Sequence, residues 1–367
     1  MKRKNVLIVT GNTKPNSGIG RYSLSIVKQL HDIGVHYAVL TERGTYSDGE
    51  GEKSILYPKS SVINIIKNFF LVRKELKKYD NVHALDCWPY GVYAYLGVLG
   101  TGKKLFINGV GTYSVPSGSL LKAFLMRRAY KRAGKIFCIS NYTKGRILER
   151  VPDVKADVVA LGTTELPKVS HKQQEEYKKK YNFMSSFPVL LTVGAIKERK
   201  GQFETVQALY KLKNKYPNAL YLMVGSASDK NYVTQIEKYA KEYGLEDNIK
   251  ILSNVYSDTE LAYLYSLCHV FLLNSNNVGN HFEGFGLVLL EAGQLGKPII
   301  GSKGCGIEDV IQNGYNGYLA EQRNPEDIYE KIMLVLGEQY ETLAKNSNEF
   351  SKKFTWGQTV SSYIKYY

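Results

Sequence analysis

Short apolar runs alternate along this chain with longer stretches whose apolar residues recur every three or four positions. Asn5–Thr10, His36–Leu40, Val82–Leu85, Lys104–Ile107, Lys135–Ile139 and Val158–Ala160 are of the first kind and predict buried strands. Between the first two lies Gly20–Ile33, where Tyr22, Leu24, Ile26, Val27 and Leu30 mark one helical face. This is a βαβ rhythm, which makes a parallel sheet wrapped by helices. It pauses at the polar stretch 171–182, HKQQEEYKKKYN, which reads as a linker running into a helix. It then restarts. Pro188–Val193, Ala219–Val224, Ile249–Leu252, Val270–Leu273 and Pro298–Gly301 read as strands, Gln202–Lys215 and Asp229–Tyr243 as helices. The pattern predicts an α/β protein of two doubly wound units, with ligands at the carboxyl ends of the strands and in a crevice between domains.

One segment carries more chemistry than the rest. A strand ending at Ser275 leads into a polar loop, then Glu283-Gly284-Phe285-Gly286, then a helical run from Leu287 to Leu295. Two glycines at a helix start let backbone N–H groups approach a ligand, and the positive end of the helix favours a phosphate. Glu291 lies more than one turn inside that helix. A carboxylate there can accept two vicinal hydroxyls of a ribose, while Glu283 reaches the other end of a ligand.

The spacing Glu-Gly-Phe-Gly-Leu-x-x-x-Glu-Ala, followed by Gly296-Lys297-Pro298-Ile299-Ile300, closely resembles the signature of glycosyltransferase family 4. That family has the GT-B fold: two Rossmann-like domains facing a deep cleft. Val193–Gly201 (VGAIKERKG) is similar to its Val-Gly-Arg-x-x-x-x-Lys-Gly segment, and Ile307–Leu319 to its Glu-x-(Ile/Val)-x-x-(Gly/Asp)-Gly-x-x-Gly segment. Val255–Tyr265, with Leu267, Cys268 and His269, resembles the helix that precedes one of its strands. Ser17–Tyr22 (SGIGRY) resembles its N-terminal Gly-rich loop, and Phe354–Trp356 the start of its last helix.

The resemblance implies an acceptor-binding domain over 1–168, a donor-binding domain over 169–353, and a last helix, 354–367, crossing back to the first. It implies a retaining transfer of a hexose-type sugar from a UDP- or GDP-sugar to a glycan or lipid-linked acceptor, in cell-surface polysaccharide or glycolipid synthesis. Arg199 and Lys200 would neutralise the donor diphosphate, and Gly18 and Gly20 would close over it. Glu283 would hold the transferred sugar, Glu291 the ribose, with the backbone of Gly284, Phe285, Gly286 and Leu287 nearby. Two departures stand out. Ala195 replaces the usual Arg after Val-Gly, and Val110 stands where many relatives have a His, just before Gly111-Thr112-Tyr113. Thr112 and Tyr113 become candidate acceptor contacts. No Asp-x-Asp occurs in the chain, so positive side chains and a helix terminus are expected to meet the diphosphate without a metal.

Charge adds a partner. The net charge is +15, and residues 1–168 hold 27 Lys and Arg against 12 Asp and Glu, while the remainder is balanced at 22 of each. Ser61–Tyr79 combines an apolar stripe (Val62, Ile65, Phe69, Val72, Leu76, widened by Ile66 and Phe70) with Lys67, Arg73, Lys74, Lys77 and Lys78. A second basic cluster is Lys122, Arg127, Arg128, Lys131, Arg132 and Lys135. This is the pattern of an interfacial helix as well as of a core helix with a solvated rim. It predicts an anionic membrane surface as partner and a cytoplasmic protein peripheral to the inner face of the membrane. Four scattered Cys residues form no metal or redox spacing, and no nucleic-acid motif accompanies the charge. A sugar-nucleotide epimerase, a glycan phosphorylase and a non-catalytic GT-B-like carbohydrate-binding or partner subunit are the competing readings.

Overall fold

The structure is a computed structural model that describes residues 4–14, 17–45, 51–181, 186–255 and 257–367. Pro15 and Asn16 of the Gly-bearing loop, Asn182 of the polar stretch and Tyr256 lie outside the described residues. The chain divides into two compact units, one running to Gly162 and taking back Thr355–Tyr367, the other spanning Thr163–Phe354.

The first unit is built on seven parallel strands: β1 (Asn5–Val9), β2 (His36–Glu42), β3 (Glu52–Leu56), β4 (Asn81–Ala84), β5 (Lys104–Gly109), β6 (Lys135–Cys138) and β7 (Ala156–Val158). Their order is β3-β2-β1-β4-β5-β6-β7. Val6, Leu7, Ile8 and Val9 are all fully buried, as a central strand covered by helices on both faces requires. Those helices are α1 (Gly18–Asp32), α2 (Val62–Leu76), α3 (Val92–Val98), α4 (Leu120–Arg132) and α5 (Asn141–Leu148). β3 escapes the apolar pattern because it is an edge strand, where charged residues such as Glu52 and Lys53 are tolerated. β7, at the other edge, starts at Ala156, two residues before the apolar pattern does.

The second unit has six parallel strands: β8 (Val189–Val193), β9 (Leu220–Val224), β10 (Ile249–Leu252), β11 (Val270–Leu273), β12 (Ile299–Ser302) and β13 (Gly317–Ala320). Their order is β10-β9-β8-β11-β12-β13. Helices α6 (His171–Tyr181), α7 (Gln202–Lys215), α8 (Lys230–Glu242), α9 (Asp258–Leu267), α10 (Leu287–Gln294), α11 (Pro325–Val335) and α12 (Tyr340–Ser351) surround it. α13 (Trp356–Ile364) then returns to the first unit, where Trp356 meets Tyr22 at 6.2 Å between ring centroids. In both units the order reverses beside the first strand, between β1 and β4 and between β8 and β11. Each is therefore a Rossmann-like doubly wound sheet with one topological switch point.

The amphipathic stretch at Ser61–Tyr79 becomes α2, capped by the Ser61 hydroxyl. Its stripe splits. Ile65, Val72 and Leu76 are buried, while Val62, Ile63, Ile66 and Phe70 stay exposed by half or more. The helix thus serves the core on one side and leaves an uncovered apolar edge on the other. α4 does the same with Leu120, Leu121 and Phe124.

Candidate functional site

The switch point of the second unit gathers the residues of the Glu-Gly-Phe-Gly and Lys-Gly segments. Arg199 and Lys200 sit on a one-turn helix, Glu198–Lys200, just after β8. Gly201 ends that turn at φ +67° and opens α7. A Cβ on it would lie 1.7 Å from the Asn274 carbonyl oxygen. Only glycine lets the β8 loop press against the end of β11, and this contact sets both basic side chains opposite Glu283. The N–H of Asn276 seals the approach by donating to the Arg199 carbonyl at 2.9 Å.

Glu283 is the hub. Its Oε2 accepts from Lys200 Nζ at 2.6 Å, from Arg199 Nη1 at 3.0 Å and from Ser275 Oγ at 3.3 Å. Arg199 also donates to the Phe282 carbonyl at 3.2 Å, which fixes the loop ahead of Glu283. Burial alone would push the Glu283 carboxyl up, but the charges of Lys200 and Arg199 overcome it and hold it at about 2. It is a carboxylate throughout the physiological range. Lys197 belongs to the same cluster: burial, then the charges of Arg199 and Lys200, lower its affinity for a proton. The remaining acid of that turn, Glu198, is drawn away by Arg323 at 3.0 Å. Arg199 and Lys200 thus pair directly with Glu283, while Lys197 feels both Glu283 and Asp229.

Beside this cluster α10 begins. Gly286 precedes it in the left-handed region at φ +88°, and the N–H groups of Phe285, Gly286 and Leu287 donate to no protein acceptor among the described residues. Free N–H groups at a helix start, beside surplus positive charge, form a seat for an anion. Phe285 contributes backbone only, since its ring is buried against Phe354. Glu291, one turn further, is 7% exposed and accepts from the Tyr265 hydroxyl of α9 at 2.7 Å.

Gly18 and Gly20 belong to the first unit, at the start of α1. Gly18 faces open space, whereas Gly20 is packed against Lys14 and Asn12 and gives its N–H to Ser17 Oγ at 3.0 Å. The switch point of that unit has a different character. Asp86 follows β4 and is 7% exposed. Its Oδ1 accepts from Ser114 Oγ at 2.6 Å and from the Cys87 N–H at 2.7 Å. Ser114 Oγ in turn accepts from the Val110 N–H at 2.6 Å, and Tyr130 donates to the Ser114 carbonyl. The Val110–Ser114 loop is thus clamped by Asp86, and Tyr113 on it is 55% exposed. Burial pushes the Asp86 carboxyl up to about 6, against the hydrogen bonds from Ser114 and Cys87. His83, the histidine nearest this crevice in sequence, is a satisfied core residue: it pairs with Asn108 at 2.7 Å, and burial lowers it to about 4.

Sequence reasoning did not single out Lys197, Tyr265 or Asp86. Lys197 was within reach, since it lies in the same Val-Gly…Lys-Gly segment. Asp86 and Tyr265 carry no local signal, because each acts through a partner distant in sequence.

Comparison with known proteins supplies the class. Residues 173–354 match the family described as glycosyl transferases group 1. An uncharacterized glycosyltransferase of Methanocaldococcus jannaschii is 27% identical over 365 residues, covering 95% of this chain and 94% of the relative. The N,N'-diacetylbacillosaminyl-diphospho-undecaprenol alpha-1,3-N-acetylgalactosaminyltransferase of Campylobacter jejuni is 24% identical, covering 96% of each chain. The crystal structure of Anabaena HepE in complex with UDP and glucose superposes with a TM-score of 0.79 at 17% identity, covering 99% of both chains. With two Rossmann-like units, and a second unit that matches the group 1 family, the chain is a glycosyltransferase of the GT-B fold.

Proposed function

We propose that the protein transfers a hexose-type sugar from a UDP- or GDP-sugar, with retention of configuration, to a glycan or lipid-linked acceptor of cell-surface polysaccharide or glycolipid synthesis. The observation that carries this is the cluster at the second switch point: Lys197, Arg199 and Lys200 opposite Glu283, beside the free N–H groups of Phe285–Leu287. Its excess of positive charge suits the two negative charges of a nucleoside diphosphate sugar, and no metal is assigned a part. UDP in the HepE structure and the diphospho-undecaprenol of the Campylobacter relative's name support such a donor and such an acceptor.

In this reading Arg199, Lys200 and the start of α10 stabilise the charge that builds on the leaving diphosphate. Positioned donors of this kind contribute much of such a barrier's lowering. Glu283 holds the transferred sugar as an ionised hydrogen-bond acceptor, and Glu291 holds the ribose hydroxyls. The acceptor hydroxyl attacks from the front face and passes its proton to the departing phosphate. The first unit receives the acceptor, with Thr112 and Tyr113 as contacts. Its basic helices α2 and α4, with their exposed apolar edges, attach the protein to the anionic inner face of the membrane. Among the described residues no helix is long and apolar enough to cross a membrane.

A thermal-shift panel of UDP- and GDP-sugars tests the donor half, followed by product analysis with polyprenyl-diphosphate sugars as acceptors. Stabilisation by one nucleotide-sugar and formation of an α-linked product are expected. Stabilisation with neither donor hydrolysis nor transfer would make this a carbohydrate-binding subunit, and no stabilisation at all would remove the donor assignment.

A further inference from the structure

Two hollows on the helical face of the first unit meet at one arginine. The first, of about 300 Å³, is lined by Ile66, Phe69, Phe70, Leu96 and Leu99 together with Arg73. The second, of about 260 Å³, is lined by Arg73, Leu76, Lys77, Thr101 and Lys103. One is apolar apart from the arginine, and the other holds three cations. No carboxylate lines either.

Arg73 is held in place between them. Its Nη1 donates to the Leu99 carbonyl at 2.7 Å and to the Gly97 carbonyl at 3.4 Å, and its guanidinium lies 6.0 Å from the Phe69 ring centroid. Both acceptors are neutral carbonyls at the end of α3, so the charge is oriented without being cancelled. Lys77 is exposed and makes no ion pair among the described residues, whereas Lys103 shares its charge with Asp80 at 3.1 Å. On the apolar side Ile66, Phe70 and Leu99 are 51%, 61% and 42% exposed. Large apolar side chains left in water beside oriented cations are unfavourable for a free surface and favourable for an amphiphile with an anionic head. A nucleotide fits poorly, because the apolar hollow offers no polar group but Arg73 to read a base.

The position sets this feature apart from the chemistry. Thr101 and Lys103 lie on the turn before β5, at the amino ends of the parallel strands. Asp86 and the Val110–Ser114 loop follow β4 and β5, at the carboxyl ends, where doubly wound sheets keep their substrates.

We propose that the α2–α3 groove and the adjoining cationic hollow together seat one anionic phospholipid of a bilayer. An acyl chain lies along Ile66, Phe70 and Leu99, and the phosphate rests among Arg73, Lys77 and Lys103. The proposal depends on the membrane attachment inferred above and replaces a diffuse basic face with a defined seat.

Flotation of the full chain with vesicles tests it, using phosphatidylcholine alone and phosphatidylcholine mixed with phosphatidylglycerol. Wild type is expected to float with the mixed vesicles only. Lys77→Glu, and Leu99→Trp, which fills the groove and keeps every charge, are each expected to lower the bound fraction by about fivefold or more. Lys28→Glu makes the same charge change at an exposed position of α1, a helix that packs against α13 and lines neither hollow, and is expected to cost less than about twofold, since surface attraction fades within a Debye length. Thermal melts confirm that each variant is folded. If wild type does not float, membrane attachment fails and the seat with it. If it floats but Leu99→Trp floats equally, or Lys28→Glu costs as much as Lys77→Glu, the seat alone is overturned. Glycerol 3-phosphate at millimolar concentration is expected not to displace the protein, and displacement would mean that the cations take a soluble phosphate instead of a lipid.

Discussion

The two units share a strand order around their first strand and differ in what they place at its switch point. In the second, flexible-stemmed cations meet an ionised carboxylate, and backbone N–H groups are left open beside them. In the first, Asp86 is enclosed, its carboxyl is pushed up to about 6 by burial, and it spends its hydrogen bonds on a loop of its own unit. The scaffold therefore dictates where a ligand is met, and side-chain charge dictates what kind. On the proposed reading the second crevice meets the donor's diphosphate, and the first meets the acceptor.

The largest expected effect breaks the charged side of this contrast. Lys200→Ala should lower kcat by about 10²–10³ or more; it also removes one of the two cations paired with the buried Glu283 carboxylate, so a lower unfolding midpoint is expected, with Arg199 left to hold the fold. Steady-state transfer from the donor found by thermal shift measures it, and an unchanged turnover would remove Lys200 from the mechanism.

Asp86→Asn tests the enclosed side. The Asp86 value is raised from 3.8 to about 6 in the folded chain. Below both values the group is neutral in both states and costs nothing. As pH rises through that window the unfolded state gives up its proton first, so folding stability falls, by about 3 kcal/mol once pH exceeds 6. The Asn variant keeps the acceptor for Ser114 and Cys87 and escapes this loss. Its stability relative to wild type should therefore grow between pH 4 and 6 and level off above, as read by denaturant unfolding of the two proteins. A difference independent of pH would show that Asp86 is not strained by its burial.

The smallest effect sharpens the role of Glu291. If Tyr265 orients that carboxylate on a ribose, Tyr265→Phe should weaken UDP or GDP binding by about tenfold. It should leave the binding of the corresponding 2′,3′-dideoxynucleotide unchanged. Calorimetry with both nucleotides separates the cases: equal losses for the two would reduce Tyr265 to a packing residue.

Central strands were legible in the sequence because burial on both faces forces continuous apolar runs, as in NVLIV and VFLL. The strands that were missed, β3 and β13, are both edges, and the displaced β7 is an edge too. An edge is half solvated, so its residues need not be apolar and the pattern fades. The charged cluster of the second unit was legible for a different reason. Its members fall in two short segments whose spacing is set by a glycine turn and a helix start, so local sequence carries the geometry. Asp86 and Ser114 lie 28 residues apart, and Tyr265 and Glu291 lie 26 apart. Pairs joined only by the fold leave no local mark.

The return of the last helix also fixes an order of events. Tyr363 is fully buried in the first unit, where its hydroxyl accepts from Asn108 at 3.2 Å, and Thr359 ties α13 to the Ala160 carbonyl. During synthesis the second unit is complete once Phe354 has emerged from the ribosome. The first, although made earlier, must wait with an open core for Thr355–Tyr367. The half of the molecule that is translated first is thus the half that finishes folding last.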